Sequence, residues 1–298
     1  MGKRWRQAVG VGILLLATTL TAEAAAVKAF VSIAPQKYFV QKIGGELVTV
    51  SVLVPPGADP HQFEPKPRQM AALAQSAVYF AIGVEFEKAW LKKIAAANPR
   101  LRIVRTDEGI AKLAAGGEDP REKAARPASQ VHSHDAGAPD PHIWLAPPLA
   151  KRQAEKIRDG LSVADPLHRA DYEARCASFL QEIDALDAEL KALFAGRKGE
   201  QFMVFHPSWG YFAAAYGLRQ IPIESGGKEP KAAQLQKLIR QARERRIAVI
   251  FVQPQFSAKS AELLAREIGG QVVVADPMAE DWAANLRDVG RKFGAAAR

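Results

Sequence analysis

One cysteine, Cys176, stands alone among 298 residues. A single thiol excludes an internal disulfide and a thiolate metal cage, so any metal must be held by nitrogen and oxygen. Long hydrophobic runs are scarce too. The longest, Ala8 to Ala22, is broken by Thr18, Thr19 and Thr21. At about 15 residues it falls short of the roughly 20 that cross a bilayer. No His-Glu-x-x-His segment occurs, which removes the commonest zinc-hydrolase helix. Dense basic patches are nearly missing despite a formal charge of +9. Arg240, Arg243, Arg245 and Arg246 form the one cluster. They fall where a helix should end, and cations there favour the helix dipole. No nucleic-acid partner is expected.

What is present starts with an export pattern. Lys3, Arg4 and Arg6 precede the apolar run. Small residues follow it, with Ala22-Glu23-Ala24 and Ala24-Ala25-Ala26 as candidate cleavage sites. That is the order of a secretory signal peptide. Residues 1–26 are read as that signal, and the mature chain is expected to be soluble outside the cytoplasm. Removing them takes the formal charge from +9 to +9 − 2 = +7, since they hold three basic residues and one acidic one. No cysteine lies near the cleavage region to carry a lipid anchor.

The remaining chain alternates strands and helices. Strands are predicted at Lys28–Ile33, Leu47–Val54, Ala77–Ile82 and Leu101–Thr106. Helices are predicted at Gln36–Ile43, Arg68–Gln75 and Phe86–Ala97. Strands apolar on both faces imply a parallel sheet covered by helices. Residues 107–140, with Gly116-Gly117, Pro120, Pro127 and Pro139, break the pattern and read as a long loop insert.

A helix is predicted from Pro148 to Leu161. The longest periodic segment follows Pro166. Tyr172, Cys176, Phe179, Ile183, Leu186, Leu190 and Leu193 are separated by steps of 4, 3, 4, 3, 4 and 3. That is one apolar stripe, on a rod of about 28 residues and roughly 40 Å. Cys176 sits on the stripe and is read as core.

Alternation then resumes, with strands at Gln201–Phe205, Gln220–Ile223, Ile247–Val252 and Gln271–Ala275. Helices are predicted at Trp209–Tyr216, Lys231–Arg246, Ser257–Ile268, with Ser257 as N-cap, and Trp282–Phe293. The fold class is therefore α/β: two Rossmann-like lobes with parallel sheets, joined by one long rigid helix. The lobes are expected at 27–163 and 197–298, with the linking helix at 164–196.

Of six histidines, three have telling positions. His61 follows the second strand after a proline-rich turn, and His206 immediately follows Gln201–Phe205. His142 lies in Asp140-Pro141-His142, and Asp276 follows Gln271–Ala275. Ligands of open α/β folds bind beyond the carboxyl ends of strands. Neutral imidazoles suit Zn²⁺, whereas Ca²⁺, Mg²⁺ and Mn²⁺ want more oxygen. Spacing alone does not prove a site.

The motifs add context. Gly57-Ala58-Asp59-Pro60-His61-Gln62-Phe63-Glu64-Pro65, Asp140-Pro141-His142-Ile143-Trp144-Leu145 and Phe205-His206-Pro207-Ser208-Trp209-Gly210-Tyr211-Phe212 resemble three ligand motifs of one family. Ile223-Glu224 to Lys228-Glu229-Pro230 and Ala275-Asp276-Pro277 resemble its later segments. The family is the cluster A-I solute-binding proteins, the zinc and manganese receptors of ABC transporters. The resemblance runs in order from about Phe30 to the C-terminus.

That resemblance implies a periplasmic receptor carrying Zn²⁺ as transported ligand to an ABC permease, with binding and no catalysis. It implies His61, His142 and His206 as metal ligands, with Asp276 at a fourth position that other zinc members fill differently or leave to water. His206 stands where manganese receptors resemble a carboxylate pattern, which favours zinc. Val131-His132-Ser133-His134-Asp135 lies where zinc receptors often carry a His- and acid-rich loop. His132 and His134 are thus an auxiliary metal site or plain loop. Asp59 and Glu64 are either partners of His61 or surface charges. Glu224 lies near the cleft but is not taken as a ligand, and Trp209 and Tyr211 are read as packing around His206. The expected protein is a monomer, with a metallochaperone of the same compartment as a further candidate partner. Three readings compete: a manganese or iron receptor, an adhesin, and a zinc enzyme with an open fourth position.

Overall fold

A computed structural model describes residues 26–114, 139–224 and 227–296. The residues read as an export signal, apart from Ala26, therefore lie outside the described residues. Two four-stranded, all-parallel sheets form the frame. The first contains β1 (Val27–Val31), β2 (Val48–Val52), β3 (Val78–Ala81) and β4 (Arg102–Arg105), in the order β2-β1-β3-β4. The second contains β5 (Gln201–Val204), β6 (Arg219–Pro222), β7 (Val249–Val252) and β8 (Gln271–Val274), in the order β6-β5-β7-β8.

Strand composition tracks position in the sheet. The inner strands β3 (VYFA) and β7 (VIFV) are buried at every residue. The outer strands β4 and β8 are exposed at both ends. Arg102 and Arg105 bracket β4 with charge, which discourages pairing with another chain's edge. In both sheets the winding reverses beside the first strand, between β1 and β3 and between β5 and β7. Such a switch point leaves a crevice beyond the strands' carboxyl ends.

Helices cover both sheets. The first sheet carries α1 (Ala34–Gly44), α2 (Pro67–Leu73) and α3 (Glu85–Ala97). After it come α4 (Pro147–Ala164) and the long α5 (Arg169–Leu193). The second sheet carries α6 (Gly210–Ala215), α7 (Ala232–Glu244), α8 (Lys259–Ile268) and α9 (Trp282–Ala296). A 3₁₀ turn, Pro166–His168, leads into α5, so the rod begins at the predicted proline. Tyr172, Cys176, Phe179, Ile183, Leu186 and Leu190 are all buried. This face packs on α1, α4 and α9. Ser257 does not cap α8: the helix begins two residues later, and the Ser257 hydroxyl accepts only a long 3.4 Å bond from the Lys259 amide.

One apolar core runs from the first sheet through α5 into the second lobe. Phe39 of α1 meets Trp282 of α9 at 5.0 Å between ring centroids, with Phe179 of α5 beside both. On the far side, Phe293 stacks on Phe202 at 4.2 Å and meets Phe251 edge-on at 4.3 Å. The second sheet divides its faces by the two-residue period of a strand. Phe202, Val204, Val249 and Phe251 join the common core, and Met203, Phe205, Ile250 and Val252 form a separate cluster under α7 and α8.

The expected insert at 107–140 is tied at its neck. Ala114 pairs with Pro139 in an antiparallel bridge, and the Asp140 amide donates to the Leu113 carbonyl at 2.8 Å. The Tyr211 hydroxyl donates to the Asp140 carbonyl at 2.8 Å and accepts from the Leu113 amide at 2.9 Å. Tyr211 therefore staples the neck rather than packing on His206. Trp209 likewise packs on Phe212 and Phe293. His132 and His134 lie outside the described residues.

Candidate metal centre

His61, His142 and His206 converge, each offering one donor within 4.8 Å of the others. Their ring centroids are 4.9 to 5.6 Å apart. The Nε2 atoms of His61 and His206 are 3.1 Å apart. Among the described residues this is the group of such donors able to hold a metal. His61 comes from the loop after β2, His142 from the turn before α4, and His206 from the end of β5. The side chains of His142 and His206 are 6% and 10% exposed, and that of His61 is 24% exposed. His61 thus forms the solvent side of the cluster. Phe256 stacks on the His206 ring at 4.6 Å.

A carboxylate stands behind each imidazole. Nδ1 of His142 lies 2.6 Å from Asp140 Oδ1, and Nδ1 of His206 lies 3.0 Å from Glu224 Oε1. Nδ1 of His61 lies 2.8 Å from Glu85 Oε2, at the start of α3. An ionised carboxylate only accepts, so His142 and His206 donate from Nδ1 to Asp140 and Glu224, which leaves their Nε2 atoms as lone pairs. Glu85 lies beside His61 Nδ1 as a close charge rather than an aligned acceptor, and His61 Nε2 faces the His206 lone pair across 3.1 Å. The carboxylate–imidazole pairs orient the rings and raise their basicity as metal ligands. Zinc–nitrogen bonds of 2.0–2.1 Å at tetrahedral angles set two nitrogens about 3.3 Å apart, close to the 3.1 Å between His61 and His206, so the residues present fit zinc.

Electrostatics differ around the ring. Burial lowers the His206 pKa, and the neighbouring His142 and His61 lower it further against the pull of Glu224. Burial also opposes charge on His61, but Glu85, with Asp59 and Glu224 behind it, outweighs burial and raises its pKa.

Asp276 is not brought into the histidine group. Its Oδ1 accepts from the Met278 amide and from Gln255 Nε2, both at 2.9 Å. The reason lies in a turn used three times. In Asp59-Pro60-His61, Asp140-Pro141-His142 and Asp276-Pro277-Met278, the aspartate Oδ1 accepts the amide two residues on, at 2.9 Å each time. Proline at the middle position fixes φ and leaves the aspartate to close the turn. Two of the turns present a histidine, and the third presents a methionine. Asp59 is therefore a turn-former.

Glu85 escaped sequence reasoning because its link to His61 spans 24 positions between separate elements. Its placement in the first turn of α3, just past the end of β3, was the available signal. Glu224 was seen near the cleft, and its pairing with His206 defines its place.

The chain is similar to known proteins over most of its length. A family model described as zinc-uptake complex component A, periplasmic (ZnuA), matches residues 30–291. The chain belongs to the ZnuA family. The high-affinity zinc uptake system protein ZnuA of Bacillus subtilis (strain 168) is 30% identical over 248 residues, covering 82% of this chain and 76% of that protein. A crystal structure of ZnuA superposes with a TM-score of 0.82 at 45% identity, covering 92% of this chain and 100% of that one. A zinc-bound ZnuA mutant lacking residues 138–173 of its own sequence has a TM-score of 0.81 at 44% identity, with 91% and 98% covered. The ZnuA family is a family of transporter receptors, as the sequence motifs implied. Among the described residues, no helix is long and apolar enough to cross a membrane.

Proposed function

We propose that the chain is the periplasmic receptor of a zinc uptake system, that it binds one Zn²⁺ through Nε2 of His61, His142 and His206, and that it hands the ion to an ABC-type permease. The observation that carries this reading is the convergence of three imidazoles, each with a carboxylate beside its Nδ1. The protein works as a monomer, exported by its first 26 residues, and performs no chemistry on its cargo.

Asp276 acts chiefly as a turn-former, and its second oxygen is the only part left for a fourth ligand. Three protein ligands and an exchangeable fourth suit an ion that must be released. Asp276→Ala should therefore cost less affinity than replacement of any of the three histidines. Equal losses would restore Asp276 to the ligand set.

Competition titration tests the metal. One equivalent of Zn²⁺ should displace Mn²⁺ fully, and Mn²⁺ holding its place against equimolar Zn²⁺ would overturn the assignment. His132 and His134 are proposed as a weak outer capture site, which a metallochaperone could also serve. Deleting residues 118–136 should lower the zinc stoichiometry or the transfer rate; if neither changes, the loop has no metal role.

A further inference from the structure

The backbone around His206 is held in an unusual way. β5 and β7 pair as far as Val204 and Phe251, and the Phe205 amide donates to the Phe251 carbonyl at 2.8 Å. Beyond that rung the main chains separate. The side chain of Gln253, 1% exposed, fills the gap. Its Oε1 accepts the His206 amide at 3.1 Å, and its Nε2 donates to the His206 carbonyl at 2.7 Å. The same Nε2 lies 3.3 Å from the Ser208 hydroxyl. One primary amide thus reads both polar groups of one peptide residue, as a neighbouring strand would.

His206 needs this support more than the other ligands. His61 and His142 have their amides fixed by an aspartate two residues earlier. His206 follows Phe205, with no aspartate before it. Its imidazole sits in the switch-point crevice between β5 and β7, where no sheet hydrogen bond continues. With its amide and carbonyl both gripped, the ring direction is set by the side-chain torsions alone, and Glu224 and Phe256 fix those.

We propose that Gln253 is a positioning residue for zinc, acting through the main chain of His206 and doing from another strand what Asp59 and Asp140 do locally. This rests on the reading of His206 as a metal ligand. Asparagine is too short to bridge the same gap, glutamate keeps the acceptor but loses the donor, and leucine of similar size loses both. Outer partners of metal ligands characteristically set affinity over about 10–100-fold.

The test uses the mature chain and three variants, Gln253→Leu, Gln253→Glu and Ser208→Ala. Leu264→Ala, buried against the opposite face of the second sheet, serves as a destabilised control. Zinc affinity is read by competition with a chromogenic chelator, Co²⁺ ligand geometry by visible absorption, and the thermal midpoint without metal. Gln253→Leu should weaken zinc binding by about 10–100-fold and shift the Co²⁺ bands, whereas Leu264→Ala should lower the midpoint and leave both metal readouts unchanged. Gln253→Glu should fall between Gln253→Leu and the native chain, and Ser208→Ala should fall nearer the native chain. Native affinity and Co²⁺ bands in a folded Gln253→Leu would overturn the proposal. If that variant does not fold, Gln253→Glu decides it by the same two readouts. His206→Ala is run in parallel. Native zinc affinity there would overturn the ligand reading itself, a different result from failure of Gln253 alone.

Discussion

The two lobes hold their share of the site by different means. The first lobe supplies two histidines, each in an Asp-Pro-His turn closed by its own aspartate. The second lobe supplies one histidine, held by Gln253 and Glu224 from 47 and 18 residues away. It also repeats the Asp-Pro turn, but with Met278 where the others place histidine. A local turn needs three adjacent residues to be right. A strand-end ligand needs the sheet to be formed first. The backbone of the first lobe's two histidines is therefore fixed by short-range chemistry, and that of the second lobe's histidine by tertiary structure.

The sharpest break in this comparison is removal of a ligand from either side. His142→Ala and His206→Ala should each weaken zinc binding by more than the roughly 100-fold attached to outer partners. Chelator competition measures this, and a loss of a few-fold in either would show that one lobe alone holds the ion.

Acid should come next. Protons compete for ligand nitrogens, so affinity falls as pH falls, by roughly tenfold per pH unit for each ligand titrating. His61, with its raised pKa, yields first, above the ordinary value of about 6.5, and His206, with its lowered pKa, yields last. Zinc affinity flat from pH 8 to pH 5 would contradict imidazole ligation. In the metal-free protein the signs oppose. The His61 contribution to stability is present below about pH 6.5 and lost as pH rises through its folded value. The His206 contribution is present above about pH 6.5 and lost as pH falls from there through its lowered folded value, since the unfolded chain takes that proton more readily.

Smaller effects separate the two aspartates. Asp140 Oδ1 serves both the His142 amide and its imidazole, whereas Asp59 serves the His61 amide and leaves the ring to Glu85. Asp140→Ala should cost about 10–100-fold in zinc affinity. Asp59→Ala removes one turn hydrogen bond, worth about 1 kcal/mol. Equal losses on titration would mean that the turn, not the imidazole contact, is what matters in this lobe.

Least disturbing should be the indole contacts across the lobes. Trp144 Nε1 donates to the Pro277 carbonyl, and Trp282 Nε1 donates to the Trp144 carbonyl, each at 2.7 Å. Trp282→Phe shrinks the buried indole to one ring and drops the bond, at about 1–3 kcal/mol for the carbonyl left unpaired with a cavity cost added to it. Thermal melting should register that as a drop of a few degrees, with zinc stoichiometry unchanged.

The same contrast governs what sequence could reveal. The alternation of apolar strands and the 4-3 stripe on α5 come from short periods, so the parallel sheets and the long helix were readable directly. His61 and His142 carried recognisable turns, and His206 carried a motif. Asp276 carried the strand-end position and the family resemblance that suggested a fourth ligand, and the turn that engages its Oδ1 is a second use of the same residue. Glu85 and Gln253 each follow a strand end, but nothing beside them in the chain names a histidine partner. Their roles depend on how α3 sits against the β2 loop and on the gap that opens between two parallel strands, neither of which is written in neighbouring residues.

The continuous apolar core through α5 has a consequence for how the molecule comes apart. Because Phe39, Phe179 and Trp282 interlock across both lobes, neither sheet has a complete hydrophobic interior of its own. Melting should therefore be a single cooperative event, and a severed lobe should be sticky and unfolded rather than a working half. The exchange rate of the ion is then set by the motion of side chains and the loop bearing His61, while the body of the protein stays one solid.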